Sequence, residues 1–362
     1  MGSFNCCYRL KGFHSILRLP ILSKSAFRYE KSRDECLLMA YLARHTSIPL
    51  PKLLAAGTCD MGPYMVLSFV DGARLSDFLK DPSTEDAPIT LQPNIDDALL
   101  YRAYRNMASL MLQLSKCRFS HIGALGQDEL GNWLVTKRPV TLNMNQLVSC
   151  ANYPPSRLPP KERTFASANE YFTALAEMHI NHLQTQRNDA IEDAEDCRKK
   201  YVARHLFLKI ARTFSKEHND GPFPLYCDDL RPTNVIVNPD LDVCGVIDWE
   251  YCYAAPAEFT YCPPWWLLLT HPDDWTDGDL GSFLEQYLPL CRLMAESLEN
   301  GHFWFCLAAT SSFGDFTTLE DRVRLLAQPE QDELASFVEH KMLQAEDSQL
   351  DEHVSPHEMF TA

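Results

Sequence analysis

Apolar positions along this chain follow two rhythms. Cys6–Leu10 and Phe13–Leu19 are β-prone runs joined by Lys11-Gly12, which predicts a hairpin. Leu38, Tyr41 and Leu42 then recur at helical spacing, which predicts a helix over Glu35–His45 that Pro49 and Pro51 bring to an end. Tyr64–Val70 reads as a short strand closed by an Asp71-Gly72 turn. Residues 80–96, rich in Pro, Asp and Thr, read as a loop or insertion. Beyond them the helical period dominates, over Ala98–Leu114, Ala168–Leu183, Asp193–Phe214, Phe283–Leu298 and Gln331–Leu343. A second hairpin interrupts it, with Val235–Val237 and Val243–Ile247 flanking Asn238-Pro239-Asp240. The polar, acidic residues 346–362 predict a disordered tail. Strands gathered at the front and helices behind predict an α+β protein.

Composition narrows the function classes. The 362 residues suffice for two packed lobes, and 46% apolar with 23% charged residues is ordinary for a soluble globular chain. A formal net charge of −16 argues against nucleic acid as a partner, because phosphate backbones need a basic footprint. The same charge is compatible with a cationic substrate but does not require one. Thirteen cysteines are scattered without a CxxC pair, so they read as reduced thiols of a cytoplasmic protein and not as a disulfide or zinc framework. No apolar run is long enough for a transmembrane helix, and the start lacks the pattern of a signal peptide. Gly2 near Cys6 and Cys7 raises acylation, but Cys6 stands where the acylation pattern wants Ser or Thr.

The chemistry concentrates in Leu225-Tyr226-Cys227-Asp228-Asp229-Leu230-Arg231-Pro232-Thr233-Asn234, followed by the second hairpin and Asp248-Trp249-Glu250. Asp229 precedes Asn234 by five positions, Asn234 leads straight into a strand, and the returning strand ends at Asp248. A hairpin brings its two ends together, so Asn234 and Asp248 should face one place with Asp229 on the loop leading in. An amide carbonyl and a carboxylate are hard oxygen ligands suited to Mg²⁺. A second carboxylate, off the metal, can accept or orient a hydroxyl proton. Taken singly, each of these residues is as readily a turn former. Asp228 competes with Asp229 for the role of base, with capping or solvating the turn as its other reading. Glu250 is open between metal or substrate contact and ion pairing.

The run D-L-R-P-T-N, then a strand, a turn and V-I-D-W-E, resembles the catalytic segment of the aminoglycoside phosphotransferase and choline kinase families. Y-C-D-D-L-R-P and A-A-P-A-E-F resemble a fungal branch, and the similarity covers most of residues 1–345. The resemblance implies a bilobal protein-kinase-like fold using ATP and Mg²⁺. Asp229 would be the catalytic base, and Asn234 and Asp248 the metal ligands. Residues 1–72 would form the nucleotide-binding lobe, 73–96 a linker and insertion, and 97–345 the catalytic and acceptor-binding lobe. On the nucleotide side, Gly2 and Ser3 would belong to the phosphate-covering loop, and Arg18 would stand in the place of the phosphate-binding Lys. Glu35 would be the ion-pair partner of Arg18, and Ser68 to Val70 the adenine-contacting linker.

The sequence also departs from the family. Cys227 takes the place of a His that braces the catalytic loop, Arg replaces Lys at 18, and the strand before the phosphate loop has no counterpart. These departures keep open a non-catalytic protein that binds nucleotide or a protein partner. Asp248 is followed by Trp249-Glu250 and not by Phe-Gly, which disfavours a conventional protein kinase and favours a small-molecule hydroxyl acceptor. His179 and His182, three apart on a helix, read as packing rather than zinc ligands without an HExxH pattern. Trp265-Trp266 and Phe303-Trp304-Phe305 read as core or as an acceptor wall, and Glu296 and Glu299 as amine contacts or a solvated face.

Overall fold

The structure is a computed structural model and describes residues 4–82, 89–186, 191–270, 292–310 and 322–347. The first element is an antiparallel sheet of four strands in the order β1-β2-β4-β3. Its strands are β1 (Asn5–Leu10), β2 (Ser15–Pro20), β3 (Leu53–Cys59) and β4 (Gly62–Ser68). Gly12, with φ of +79°, supplies the left-handed residue that the β1–β2 turn needs. Strand β3 departs from the sequence reading, which saw none there. Its residues LLAAGTC are exposed along their length and show no alternation, so only pairing with β4 defines the strand.

Helix α1 (Arg28–His45) packs Leu38, Met39, Tyr41 and Leu42 inward. It begins seven residues before the expected Glu35. The first two turns bury Glu30, Lys31 and Ser32, so they carry no apolar stripe to read. Their burial is made tolerable by ion pairs, which have no periodicity of their own.

Strand β5 (Ala73–Arg74) and helix α2 (Leu75–Leu79) follow, and helix α3 (Asp97–Ser115) comes within a residue of its expected bounds. Asp96 caps α3, its carboxylate accepting the Leu99 amide at 3.0 Å. Next come strand β6 (Arg118–Phe119), the hairpin β7 (Ala124–Gln127) and β8 (Trp133–Lys137), and helices α4 (Leu142–Ser149), α5 (Ala168–Thr185) and α6 (Ala194–Ala211). Then come β9 (Phe223–Cys227), β10 (Val235–Val237), β11 (Val243–Val246), β12 (Cys252–Ala254) and helix α7 (Ala257–Tyr261). The last described helices are Arg292–Glu299, His302–Thr310 and Gln328–Asp347. The expected helix over Phe283–Leu298 lies partly outside the described residues, as does most of the expected tail.

Two small sheets hold the chemistry-bearing segment. Strands β10 and β11 pair antiparallel, and β5 joins the other side of β10, so the stretch after Gly72 is stitched directly to the hairpin. Gly72 has φ of +141°, and a Cβ there would lie 2.5 Å from the Val237 carbonyl oxygen. Strands β9 and β12 pair with Cys227 opposite Cys252, which leaves Asp228 and Asp229 at the open end of β9. An N-terminal antiparallel sheet with one helix, followed by a largely helical remainder, is a bilobal α+β kinase-like fold. No described helix is long and apolar enough to cross a membrane.

Candidate active site

The loop after β9 organises itself through Asn234. Its Nδ2 donates to the Asp229 backbone carbonyl at 2.8 Å and to Asp229 Oδ2 at 3.0 Å. Pro232 opens a short 3-10 turn that swings Asn234 back, and the Asn234 amide donates to Arg231 O at 2.9 Å. The Asn234 carbonyl in turn accepts the Ile247 amide at 2.9 Å, which pins the start of the hairpin to its end. Asp248 follows at φ +63°, a left-handed conformation uncommon outside glycine that Asp tolerates better than most residues. Asp229 and Asn234 are thus bonded to each other, and the Ile247 amide, next to Asp248, ties the end of the hairpin to Asn234, so that the three meet at one corner.

Arg18 reaches that corner from β2. Its guanidinium bonds Glu35 and Asp248 and lies 3.2 Å from Glu250. Glu35 also accepts the Trp249 amide at 3.1 Å. The Arg18–Glu35 pair suggested by sequence order is therefore present, and it bridges both lobes. Glu250, left open above, is an ion-pairing residue, held by Arg18, Lys31 and Asn5. Lys31 and Asn5 were not anticipated. The signal for Lys31 was its place one helical turn before Glu35 on the same face; Asn5 offered none.

Other expected residues divide. Gly2 and Ser3 lie outside the described residues. The Ser68 amide donates to Lys52 O at 2.9 Å and so is already engaged. The Val70 backbone takes no hydrogen bond among the described residues, while its side chain lies over Gly245, where a Cβ would come within 2.9 Å. Asp228 points away from the corner. Its carboxylate accepts the Leu142 amide, in the first turn of α4, at 3.0 Å and lies 3.3 Å from Tyr253 Oη. It therefore ties the loop to the start of α4, whose N-cap is Thr141, and does not cap its own turn. Cys227 is buried, with its thiol 3.7 Å from the Glu250 carbonyl, so it still braces the loop against the segment after Asp248. The adjacent Cys252, and after it burial, push that thiol well above its ordinary pKa, which makes it a poor nucleophile.

His179 and His182 are packed inside, with Arg204 bonded to the His179 carbonyl at 2.8 Å. Among the described residues no cluster of His, Cys, Asp or Glu could hold a metal by itself. Trp266, Phe303 and Phe305 are core, whereas Trp265 and Trp304 are half-buried. A cavity of about 550 Å³ touches Cys227, Asp228 and Leu230 from behind the loop, and a larger one of about 1470 Å³ lies between α6 and the helix His302–Thr310. Neither is lined by Asp229, Asn234 or Asp248.

Electrostatics separate the acids. Burial pushes Asp229 up to about 6, against the pull of Arg231, whose Nε lies 2.9 Å from its carboxylate. Burial also raises Asp248, opposed by Arg18. Glu250 is under the same pressure from burial, yet Lys31 and Arg18 overcome it and hold the group below its ordinary value. A base poised near neutrality can take a proton and still drive its transfer.

The corner fits a magnesium ion. Asn234 commits its amide nitrogen to Asp229, which leaves Oδ1 free, and Asp248 Oδ2 takes no hydrogen bond among the described residues. One amide oxygen and one carboxylate oxygen suit an ion that keeps several waters and takes substrate phosphates as further ligands.

Residues 16–296 match the phosphotransferase enzyme family, the class that this fold and corner define. The chain belongs to that family, and so is a small-molecule phosphotransferase by kinship. No curated protein matches it. Similar solved structures include a GDP complex of an aminoglycoside 2'-phosphotransferase-IIIa mutant, at 13% identity and TM-score 0.48, covering 96% of this chain and 91% of that one. A putative fructosamine-3-kinase from Haemophilus somnus 129PT has 13% identity and TM-score 0.43, covering 93% and 87%. An aminoglycoside phosphotransferase of Streptomyces rimosus, in complex with ADP and streptomycin, has 15% identity and TM-score 0.38, covering 84% and 91%.

Proposed function

We propose that this chain transfers the γ-phosphoryl group of ATP to a hydroxyl of a small molecule, in the cytoplasm. The observation that carries the reading is the bonded corner, in which Asn234 fixes Asp229 with its nitrogen; its oxygen would then be available to a cation. Asp229 would accept the acceptor's hydroxyl proton at its carboxylate. Asn234 Oδ1 and Asp248 Oδ2 would hold Mg²⁺, which when bound neutralises charge on the phosphates. Arg18 would turn from Asp248 to the phosphates, with Glu35 keeping it aimed. The Val70 backbone is the part of the linker left to meet adenine, between a lobe of residues 1–72 and one of residues 97–345. The acceptor is a small hydroxyl compound, with the acidic chain compatible with a cationic one.

Thermal unfolding with ATP, with and without Mg²⁺, tests the donor. A Mg²⁺-dependent rise in melting temperature is expected. No shift with any nucleotide would leave a protein that binds a partner instead. Phosphoryl transfer from labelled ATP across a panel of hydroxyl metabolites then identifies the acceptor.

A further inference from the structure

The outer edge of the first sheet is left open. β3 is its last strand, and no described strand pairs with its far side. Residues 52–61 are exposed without a break. In an antiparallel ladder every second residue of such a strand turns its N–H and C=O groups away from its neighbour, and proteins ordinarily guard that row with charge, proline or a bulge. Leu53–Cys59 carries no charge and no proline. The irregularity in its register, between Leu53 and Ala55, sits at one end and leaves Ala55–Cys59 regular. Leu54 and Met61 add apolar side chains that are 56% and 67% exposed. Charge stands only at the two ends, Lys52 before the strand and Asp60 after it, and neither side chain has a partner among the described residues.

We propose that β3 pairs with β3 of a second copy of this chain, antiparallel and centred on Ala56, so that two four-stranded sheets join edge to edge in a two-fold dimer. The register follows from the charges. Centred on Ala56, the pairing sets Lys52 of each copy against Asp60 of the other, since the two positions are equally far from the centre. Both ends then close on opposite charges, and nothing charged lies between them. Opposite charges facing each other across strands stabilise the pair, and like charges oppose it. A parallel pairing in register would instead set Lys52 on Lys52 and Asp60 on Asp60. A balanced contact matters for a chain of net charge −16, whose copies otherwise repel each other. Ala55, Ala56 and Gly57 occupy the middle, so the two edges meet without a bulky side chain between them. The contact uses none of the corner residues and therefore stands or falls apart from the phosphotransferase reading.

Sedimentation velocity on the full chain without nucleotide, from about 1 to 200 µM, tests this, because a contact of one strand per copy lies at the small end of interfaces. The unsubstituted protein should pass from monomer to dimer across that range. Lys52→Glu should weaken the dimer about tenfold, since it replaces attraction by repulsion and the two-fold axis repeats the change; Asp60→Lys should do the same. The double variant Lys52→Glu with Asp60→Lys restores opposite charges and should dimerise within about threefold of the unsubstituted chain. Ala56→Lys, which sets two lysines together on the axis, should stay monomeric throughout. These positions are exposed, and circular dichroism checks that each variant is folded. An unsubstituted chain that stays monomeric to the top of the range would overturn the proposal and leave the edge to a different partner. A dimer that the single reversals do not weaken would overturn it by placing the contact elsewhere. A double variant as weak as the single ones would overturn the antiparallel pairing centred on Ala56.

Discussion

The floor and the roof of the corner are built by different means. The floor is the loop from Cys227 to Asn234, where the decisive bonds join residues five apart. The roof is made of Arg18, Lys31 and Glu35, whose partners Asp248 and Glu250 lie more than two hundred residues along the chain. A local turn can hold the floor even when the lobes part. The roof exists only while the sheet, α1 and the hairpin end are docked. Damage to the floor should therefore appear in the chemical step, and damage to the roof in stability and in nucleotide or metal affinity.

The largest effect expected tests the floor. Asp229→Asn should lower turnover by about 10²–10⁴ while leaving nucleotide KM nearly unchanged, since general-base assistance is worth that much. Steady-state kinetics separate the two constants. An equal rise in nucleotide KM would mean that Asp229 belongs functionally with the roof. Arg18→Met tests the other side. It strands Glu35 and Asp248 without their shared cation, and removing one partner of a buried pair costs about 3–5 kcal/mol. Denaturant unfolding should show that loss, and nucleotide KM should rise. Adding Glu35→Gln should restore part of the stability without restoring affinity, which a pure packing defect would not do.

The floor also sets a pH dependence. With Asp229 near 6, raised by burial and restrained by Arg231, kcat/KM should climb about tenfold per pH unit below that value and level off above it. Arg231→Gln should move the break upward, because the restraining charge is gone. A break that stays in place would assign the titration to another group. Against the hairpin that follows the floor, Gly72→Ala would force a Cβ onto the Val237 carbonyl at positive φ. Strain of that kind costs about 1–3 kcal/mol. The melting temperature should fall while the pH profile keeps its shape.

What the sequence disclosed follows the same division. Asp229, Asn234 and Asp248 could be read because spacing and a hairpin suffice to bring them together. Arg18 and Glu35 could be paired through the family resemblance, but not through any pattern of their own. Lys31 carried only its place one turn before Glu35, because its burial depends on Glu250 and hydrophobic periodicity cannot report an ion pair. The first turns of α1 were lost for the same reason, and β3 because its exposed residues carry no alternation. Strands β9 and β12 pair through Tyr226–Tyr253 and Cys227–Cys252, residues that are equally at home in a helix core.

The smallest effect belongs to the neighbour that the floor does not use. Asp228 sits beside Asp229 in sequence, yet its carboxylate accepts an amide in the first turn of α4 and is pushed up to about 7 by burial, with the Leu142 amide and Tyr253 hydroxyl opposing the rise. A folded pKa above the unfolded one means that the native state binds the proton more tightly. The stability this group contributes is therefore full below the unfolded carboxylate value and is lost as pH rises through about 7. Asparagine cannot titrate, so Asp228→Asn should be the less stable protein at pH 5 and should gain on the unsubstituted chain by pH 8. The difference in melting temperature, followed across that range, should shrink steadily or change sign, while turnover stays within about tenfold because no acid–base role is lost. A collapse of turnover to the level of Asp229→Asn, with a flat stability difference, would transfer the base to Asp228 and redraw the floor around it.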